Sequence, residues 1–387
     1  MKNVCIIGAG VSGLVLARHL KSSHHITVLE SSSAVGGVWI DNGSTPMYKN
    51  LQTNLPLQVM QFSGFNYPPQ TKQFPTHPEI LAYLEAYNQH HDLESLIRFQ
   101  SKATSVAPKS ISENTPWLVT TDGGKTEQFD SVAICTGRYR TAHIPKIKGM
   151  DTFRNTVIHS KSYYDPSDYH NKHVLVVGCG NSGMDISLDL WKHGVNVSVS
   201  HRQSLDYPGV PCEIQQFPEI KCASAGSVIF KNNELLQPDV ILFATGYGSN
   251  LDFLSERCSI DTSILPFPLY KYFINCKFPN LAIFDQCNKV APFILSEYQS
   301  LYFKDVLSGK IVLPKYEERL FQAMKLWERY PDAKAKYKYT LGEDQFNYYR
   351  DLDTEVLNYD LHSLQQLYNF VVSNRDASPL TYRDIVY

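Results

Sequence analysis

The chain has 387 residues, and 36 Lys and Arg against 38 Asp and Glu give it a formal net charge of −2. This balance excludes a broadly basic nucleic-acid-binding surface and an acidic tail. Hydrophobic residues make up 43% and charged residues 19%, a composition typical of globular proteins. No apolar run approaches the ~20 residues of a membrane helix. A strand-like run begins by Val4, so no signal peptide is expected.

The eight cysteines are scattered, and no two lie three residues apart. A C-x-x-C redox pair and zinc-ribbon spacing are therefore both absent. Several cysteines stand inside apolar runs, where a thiol behaves as a small hydrophobic group. The pattern predicts buried free thiols in a reducing compartment, no metal site and a cytoplasmic protein.

The chain opens with a strand, a glycine turn, a helix and a second strand. The apolar run Asn3–Gly8 fits a buried parallel strand, Leu14–Leu20 a helix and His25–Glu30 the second strand. Between them, Gly8–Gly13 has the pattern G-x-G-x-x-G. Its first glycine allows the tight bend, its second lets backbone approach a pyrophosphate, and its third lets the helix pack on the strand. This order predicts a dinucleotide-binding unit.

A second unit of the same kind follows much later. His173–Gly178 fits a strand, Gly178–Gly183 is the glycine turn, Met184–Lys192 fits a helix and Val195–Ser200 the next strand. Two such copies are too far apart for a solenoid repeat. They predict an α/β protein with two Rossmann-like dinucleotide-binding domains.

Each unit is followed later in the chain by one further strand, and the two strands have similar sequences. Phe129–Gly137 and Pro238–Tyr247 are apolar strands led by Asp and closed by Thr-Gly, where glycine lets backbone approach a ligand or a neighbouring strand. Thr76–Glu79 has the Pro and Glu of a helix start, and Tyr316–Glu328 is amphipathic. The C-terminal part is rich in aromatic residues, which we interpret as core rather than as a substrate channel or a subunit interface: Tyr337, Tyr339, Phe346, Tyr348 and Tyr349.

The ends of the second strands distinguish the two ligands. Glu30 ends the first of them, where a carboxylate accepts a hydrogen bond from a ribose 2′-hydroxyl and repels a 2′-phosphate. Ser200 holds the matching position in the second unit, with Arg202 two residues on. A neutral residue beside a guanidinium suits a 2′-phosphate. We therefore predict FAD in the first unit and NADPH in the second; the alternative for Arg202 is a solvated surface arginine.

Two dinucleotide sites fit three classes of protein. A flavin disulfide reductase needs a redox cysteine pair, which the chain lacks. A single-component oxygenase and an NADPH–flavin electron donor both stay open on the residues alone.

Further motifs in a fixed order carry a family resemblance. They are Val35–Trp39, Tyr48–Pro56, Met60–Phe62, Phe74–Pro78 and Ala244–Tyr247. Together with the second glycine turn, they make most of residues 1–250 resemble the flavin-containing monooxygenases (class B, N- and S-oxygenating).

The family motif F-x-G-x-x-x-H-x-x-x-[Y/F] aligns with Phe153, His159 and Tyr163, with Asn155 at the glycine position. Asn is the residue next most tolerant of the left-handed backbone that we expect there. Tyr163 favours the N/S-oxygenating branch over the Baeyer–Villiger branch. We interpret His159 as a residue that positions the linker between domains, not as a proton carrier. The segment 203–243 is short for the family, and the apolar tail of membrane-anchored members is missing.

The resemblance implies an FAD domain made of residues 1–165 and 265–387, with an NADPH domain of residues 166–264 inserted in it. It implies hydride transfer from NADPH to FAD, formation of a C4a-hydroperoxyflavin with O2, and oxygen transfer to an amine or sulfide of a small molecule. The alternatives are a Baeyer–Villiger-type oxygenase and a degenerate NADPH oxidase or electron-transfer flavoprotein. Neither nucleic acid nor membrane is expected as a partner, and a homodimer is left open.

Asn54 is the predicted catalytic residue, because an amide donates and accepts hydrogen bonds without titrating. By resemblance it holds the NADP+ ribose beside the flavin; the alternative is an Asn that caps a turn before Pro56. Trp39 is expected along the flavin, with a core aromatic as its alternative. The predicted cofactor-binding residues are Gly8, Ala9, Gly10, Val11, Ser12, Gly13, Glu30, Gly37, Val38, Trp39, Thr53, Asn54, Leu55, Thr136, Gly137, Gly178, Gly180, Asn181, Ser182, Gly183, Arg202, Thr245 and Gly246.

Overall fold

The computed structural model describes residues 1–202, 209–248, 251–330, 337–353 and 357–386. Within these ranges the α-helices are α1 Val11–Leu20, α2 His77–His90, α3 Asn181–Lys192, α4 Pro292–Ser308, α5 Tyr316–Glu328, α6 Gln345–Leu352 and α7 Leu361–Ala377. The strands are β1 Asn3–Ile7, β2 His25–Leu29, β3 Ile97–Arg98, β4 Ala103–Pro108, β5 Trp117–Thr121, β6 Thr126–Phe129, β7 Ser131–Ile134, β8 Thr141–Ala142, β9 Thr156–His159, β10 His173–Val177, β11 Asn196–Ser200, β12 Gln215–Phe217, β13 Ile220–Ser224, β14 Ser227–Phe230, β15 Leu235–Leu236, β16 Val240–Phe243, β17 Tyr247–Gly248, β18 Leu269–Tyr270, β19 Ile274–Asn275 and β20 Leu281–Ile283.

The first glycine turn belongs to a seven-stranded sheet of order β18-β19-β20-β7-β1-β2-β3. Strand β1 lies in the interior of this sheet and pairs in parallel with β2 and β7, with Val4 opposite Ile26 and Ser131. Residues Val4–Ile7 are buried, as expected of a central parallel strand covered on both faces. The predicted strand–turn–helix–strand order is confirmed.

The second glycine turn belongs to a five-stranded sheet of order β12-β11-β10-β16-β9, in which every neighbouring pair is parallel. An antiparallel meander, β13-β14-β15, packs beside it and makes up much of the short segment 203–243. Residues 203–208 of that segment lie outside the described ranges. The predicted α/β class is confirmed, and strands of the first sheet flank the second unit in the sequence, as an insertion requires.

The structure favours bounds for the inserted unit that differ from the predicted 166–264. Strand β9 belongs to the second sheet, and Ile147, Met150 and Phe153 pack against that sheet's buried core. On the far side, Leu251 and Cys258 are part of the first unit's core. We therefore propose that the inserted unit runs from about residue 147 to residue 248.

A two-stranded antiparallel ribbon of β8 and β17 joins the two units. The carbonyl of Gly246, next to this ribbon, accepts a hydrogen bond from His159 Nε2 at 2.9 Å. His159 Nδ1 accepts one from the Lys161 amide at 3.1 Å, so the ring is neutral with its proton on Nε2. Burial lowers the pKa of His159, which keeps it neutral at pH 7. These contacts support the interpretation of His159 as a residue that positions the linker.

The expectation that Asn155 replaces the motif glycine because of a left-handed backbone is wrong. The expected left-handed backbone is not present there, because Asn155 has no positive φ. Instead, its Nδ2 donates to the Pro238 carbonyl at 2.9 Å, which connects the start of β9 with the approach to β16. The side chain contributes a contact that glycine could not make.

The local helix signals are confirmed. Helix α2 starts at a capping box in which the Glu79 carboxylate accepts from the Thr76 amide at 2.8 Å. Helix α5 has the predicted bounds. Of the C-terminal aromatic residues, Tyr339, Phe346, Tyr348 and Tyr349 lie in the first core, whereas Tyr337 is exposed.

Candidate active-site cleft

The first glycine turn has no space for side chains at its key positions. Gly8 has φ +109°, and a Cβ there would lie 2.4 Å from the Cys135 carbonyl oxygen. A Cβ on Gly13 would lie 1.9 Å from the Gly8 oxygen, so only glycine lets α1 pack this closely on β1. A Cβ on Gly37 would lie 2.9 Å from the Cα of Gly10. The backbones of Gly10 and Gly37 thus lie in close contact at the N-terminus of α1, where a pyrophosphate could approach the amides without meeting a Cβ.

The second glycine turn repeats these contacts and is more open. A Cβ on Gly178 would lie 2.6 Å from the Ala244 oxygen, and one on Gly183 would lie 1.9 Å from the Gly178 oxygen. A Cβ on Gly180, in contrast, would meet no heavy atom within 4 Å. Gly180, Asn181 and Ser182 are exposed at the N-terminus of α3. The amide ends and positive dipole of this helix therefore face open space that fits a dinucleotide phosphate.

Glu30 lies beside the first turn, at the end of β2. Its Oε2 accepts from the Ala9 amide at 2.7 Å, and its Oε1 accepts from the Ser32 amide and hydroxyl, each at 2.7 Å. The Ser31 hydroxyl also donates to Oε1, at 3.3 Å, so four donors meet the about four acceptor positions of the carboxylate. A ribose 2′-hydroxyl would bind Glu30 by replacing one of the two serine hydroxyls, and this contact stays a prediction.

Arg202 lies just past β11 with its side chain 46% exposed, and its Nε is 3.6 Å from Glu219 Oε1. Ser200 is buried and donates to the Pro218 carbonyl at 2.8 Å. The guanidinium is therefore held only by one long, exposed ion pair among the described residues. Such a pair contributes little and can be exchanged for a phosphate.

For Arg202→Ala, we expect the preference for NADPH over NADH, as a ratio of kcat/KM values, to fall at least tenfold, about 1.4 kcal/mol. The reason is that only NADPH carries the 2′-phosphate. Steady-state oxidation of both nucleotides measures the ratio. Lys231→Ala is the matched control, because Lys231 also pairs with Glu219 but does not follow β11, the strand whose end is predicted to meet the ribose. An unchanged ratio in Arg202→Ala would contradict the assignment.

One cleft brings parts of both units together. From the first unit it is lined by Val38, Trp39 and Asn54, and from the second by the glycine-turn residues Gly180, Asn181 and Ser182. Further lining residues are Met47, Leu51, Tyr139, Tyr247, Tyr382 and Arg383. The wall is mainly apolar and aromatic with a few polar groups, as is usual for cofactor and substrate sites.

Asn54 is half-buried in this cleft, and its amide makes no hydrogen bond with the residues that the structure describes. The neighbouring backbone is fixed without it. Thr53 donates its hydroxyl to the Leu55 carbonyl at 2.7 Å, and its amide donates to the Pro75 carbonyl at 2.9 Å. The alternative role of Asn54, capping a turn before Pro56, is therefore not what the geometry favours.

The two Thr-Gly pairs that follow β7 and β16 differ in their surroundings. Thr136 and Gly137 follow β7 at the edge that carries the first glycine turn, and Gly137 has φ +67°. Thr245 and Gly246 instead engage the linker, because the Thr245 hydroxyl donates to the His143 carbonyl and Gly246 accepts from His159. A cofactor contact thus stays a prediction for both pairs. The second pair already makes hydrogen bonds with the linker between the units.

Sequence reasoning missed Asp285, which follows β20 at the same sheet edge. Its half-buried carboxylate accepts from the hydroxyl of Ser12, on the first turn of α1, and from Ser296 at 2.8 Å. Burial raises the pKa of Asp285 to about 6, against the lowering effects of the Ser296 hydroxyl and the Arg138 charge. The rule that ligand sites lie at the carboxyl ends of parallel strands could have pointed to it.

We expect Asp285 to make the stability of the FAD-free protein pH-dependent. The pKa of about 6 lies above the ordinary 3.8, so the folded state holds the extra proton and loses stability as pH rises from 4 to 6. Asp285→Asn removes this loss. The variant's free energy of unfolding relative to the parent should rise by on the order of 3 kcal/mol between pH 4 and pH 7. Urea unfolding at both pH values measures the change, and parallel profiles would contradict it.

Two glycine turns, each placed between a parallel strand and a helix, define a protein built for two dinucleotides, an oxidoreductase of the two-domain flavoprotein class. Comparison with known proteins agrees. The model of the flavin-binding monooxygenase-like family matches residues 1–205. The Arabidopsis thaliana flavin-containing monooxygenase FMO GS-OX2 is 31% identical over 428 aligned positions, which cover 99% of this chain and 92% of that protein.

Solved structures agree as well. The S-allyl-L-cysteine S-oxygenase of Allium sativum matches with a TM-score of 0.90 and 29% identity, over 100% of this chain and 95% of that one. Tmm from Pelagibacter sp. strain HTCC7211 matches with a TM-score of 0.88 and 21% identity, over 100% and 93% of the chains.

The chain belongs to the flavin-containing monooxygenases. It is accordingly an FAD- and NADPH-dependent monooxygenase with two Rossmann-type domains. Across the residues that the structure describes, no helix has the length and apolar character needed to cross a membrane.

Proposed function

We propose that this protein oxygenates a soft nucleophile, the sulfur or nitrogen of a small molecule, at the cleft between its two units. The observation that carries the proposal is the meeting of Trp39, the uncommitted Asn54 amide and the α3 glycine turn in one cleft. The match to an S-oxygenase at 29% identity makes a thioether the first substrate to offer.

Each group has a separate role in this proposal. The N-termini of α1 and α3 hold the phosphates of FAD and NADPH, and Glu30 and Arg202 distinguish their ribose groups. The Asn54 amide holds bound NADP+ and can donate a hydrogen bond towards the flavin without changing charge. The bound flavin supplies the redox chemistry, by way of the C4a-hydroperoxy form that the resemblance implies.

The protein's remaining task is to keep the reaction site dry. Apolar and aromatic side chains line the cleft beside Asn54, and such walls limit the water that would promote the unproductive release of H2O2 from the bound flavin. The nearby His159 is neutral and occupied by backbone groups, so the proposal needs no protein acid or base from it.

The test uses purified, FAD-loaded protein and follows NADPH oxidation, H2O2 and products. A thioether, a tertiary amine and a cyclic ketone are offered separately. A sulfoxide or N-oxide formed in step with NADPH supports the proposal. Ester formation from the ketone would instead show the Baeyer–Villiger alternative. Release of H2O2 alone with every substrate would show the degenerate oxidase or electron-transfer alternative.

We also propose a cytoplasmic location, because no disulfide links the cysteines in the part of the chain that the structure describes, and several of them are buried. A homodimer stays a prediction, which light scattering of the purified protein tests.

A further inference from the structure

The last residues of the described chain return to the cleft, where Arg383 contacts both units. Its Nη1 lies 2.9 Å from Asp185 Oδ1 on α3. Its Nε donates to the Thr53 carbonyl at 3.0 Å, and its Nη2 donates to the Gln52 carbonyl at 3.2 Å. One planar guanidinium therefore connects the second unit's helix with the two carbonyls directly before Asn54.

The carboxylate at the other end of this contact is also shared. Asp185 accepts a hydrogen bond from the hydroxyl of Tyr48, in the same segment as Gln52 and Thr53. Asp185 stands one turn into α3, the helix whose N-terminus is the NADPH glycine turn. The position of that turn relative to residues 48–54 is thus set at two carboxylates of α3, since Asp189 Oδ1 also accepts from Asn50 Nδ2 at 3.0 Å.

Arg383 is itself held in place. The ring of its neighbour Tyr382 packs edge-on against Phe74, with centroids 5.6 Å apart. The guanidinium lies 4.9 Å from the Tyr382 ring centroid, and Leu380 packs against the second unit's core. The tail is therefore anchored independently on both sides, and Arg383 reaches the cleft from a fixed point.

We propose that Arg383 is a positioning residue, which connects the Asn54 segment to α3 and thereby sets the place of Asn54 relative to bound NADP(H). The proposal rests on the role assigned to Asn54 above. The fork geometry of arginine is essential to it, because a lysine could meet Asp185 as a point charge but could not donate to both carbonyls in the same arrangement.

The test compares Arg383→Ala, Arg383→Lys and Asp185→Asn in FAD-loaded protein. Tyr164→Phe is the matched control: the Tyr164 hydroxyl donates to Asp41 Oδ2 at 3.1 Å, so this variant also loses a side-chain contact between the units, but one outside the 48–58 peptide. Three readouts are used: the NADP+ dissociation constant by fluorescence titration, the rate of anaerobic flavin reduction by NADPH, and hydrogen exchange of a peptide spanning residues 48–58.

For Arg383→Ala we expect at least a fivefold rise in the NADP+ dissociation constant, slower flavin reduction and faster exchange in the 48–58 peptide. Arg383→Lys should fall between Ala and the parent, Asp185→Asn should resemble Ala, and Tyr164→Phe should stay within twofold of the parent. None of these readouts requires an oxygenated product, so failure of the proposed function is distinguishable from failure here.

Two results would overturn the proposal. One is an Arg383→Ala protein that retains FAD, unfolds cooperatively and keeps all three values within twofold of the parent. The other is a Lys variant as impaired as Ala in melting temperature but unchanged in NADP+ affinity and exchange, which would show a merely structural role. If Arg383→Ala does not fold, Arg383→Lys and Asp185→Asn decide by the same limits.

Discussion

Gly37→Ala is expected to yield a folded protein that has lost most of its FAD. The added Cβ would lie 2.9 Å from the Gly10 Cα, so one of the two backbones in contact at the N-terminus of α1 must move. The amide groups that would hold the pyrophosphate move with it. We expect at least a tenfold drop in retained FAD, read from flavin absorbance per protein after gel filtration.

Strain from a left-handed alanine must be separated from this clash. Gly37 has φ +59°, and a non-glycine residue in that region costs on the order of 1–3 kcal/mol wherever it occurs. Gly124→Ala is the matched control, since Gly124 has φ +76° and a Cβ there would meet no heavy atom within 4 Å. It should lose stability but keep FAD. Equal loss of FAD in both variants would refute the clash with Gly10 as the cause.

The second large effect is expected for Asn54→Ala. Removing an amide that would contact the reacting centre should slow product formation on the order of 10²-fold, with NADPH consumption diverted to H2O2. FAD should stay bound, because Asn54 makes no hydrogen bond that supports the fold within the described residues. Product and H2O2 per NADPH consumed are the measurements, and Asn54→Ser should behave similarly.

Asn42→Ala is the control for this prediction. The Asn42 side chain accepts from the Ser44 amide at 3.0 Å and so caps a turn, which is the alternative once assigned to Asn54. Its loss should leave coupling between NADPH and product unchanged. If Asn54→Ala also keeps full coupling, Asn54 has no catalytic role.

The features that sequence predicted well are local ones. A strand, a glycine turn and a helix follow one another within about twenty residues around Gly8 and again around Gly178, so spacing alone defines them. The helix start at Thr76 is equally local, because its capping contacts lie three residues apart.

The features that sequence missed are contacts between distant segments. Asp285 meets Ser12, and Arg383 meets Asp185, only after the chain has folded. No spacing rule connects such residues. Asn155 shows the related error: the identity of a residue was explained by backbone preference, whereas a side-chain bond to Pro238 accounts for it.

The β8–β17 ribbon also limits how the two units can move. Both passages of the chain between them lie side by side, within hydrogen-bonding distance, as Tyr247 stands opposite Ala142. Two adjacent chain crossings let the units rotate about a single axis far more readily than slide or twist relative to one another. Nucleotide exchange would then occur by rotation of one unit about the ribbon, as in hinge opening. A covalent cross-link between β8 and β17 would leave that rotation free, whereas a cross-link across the cleft would stop it.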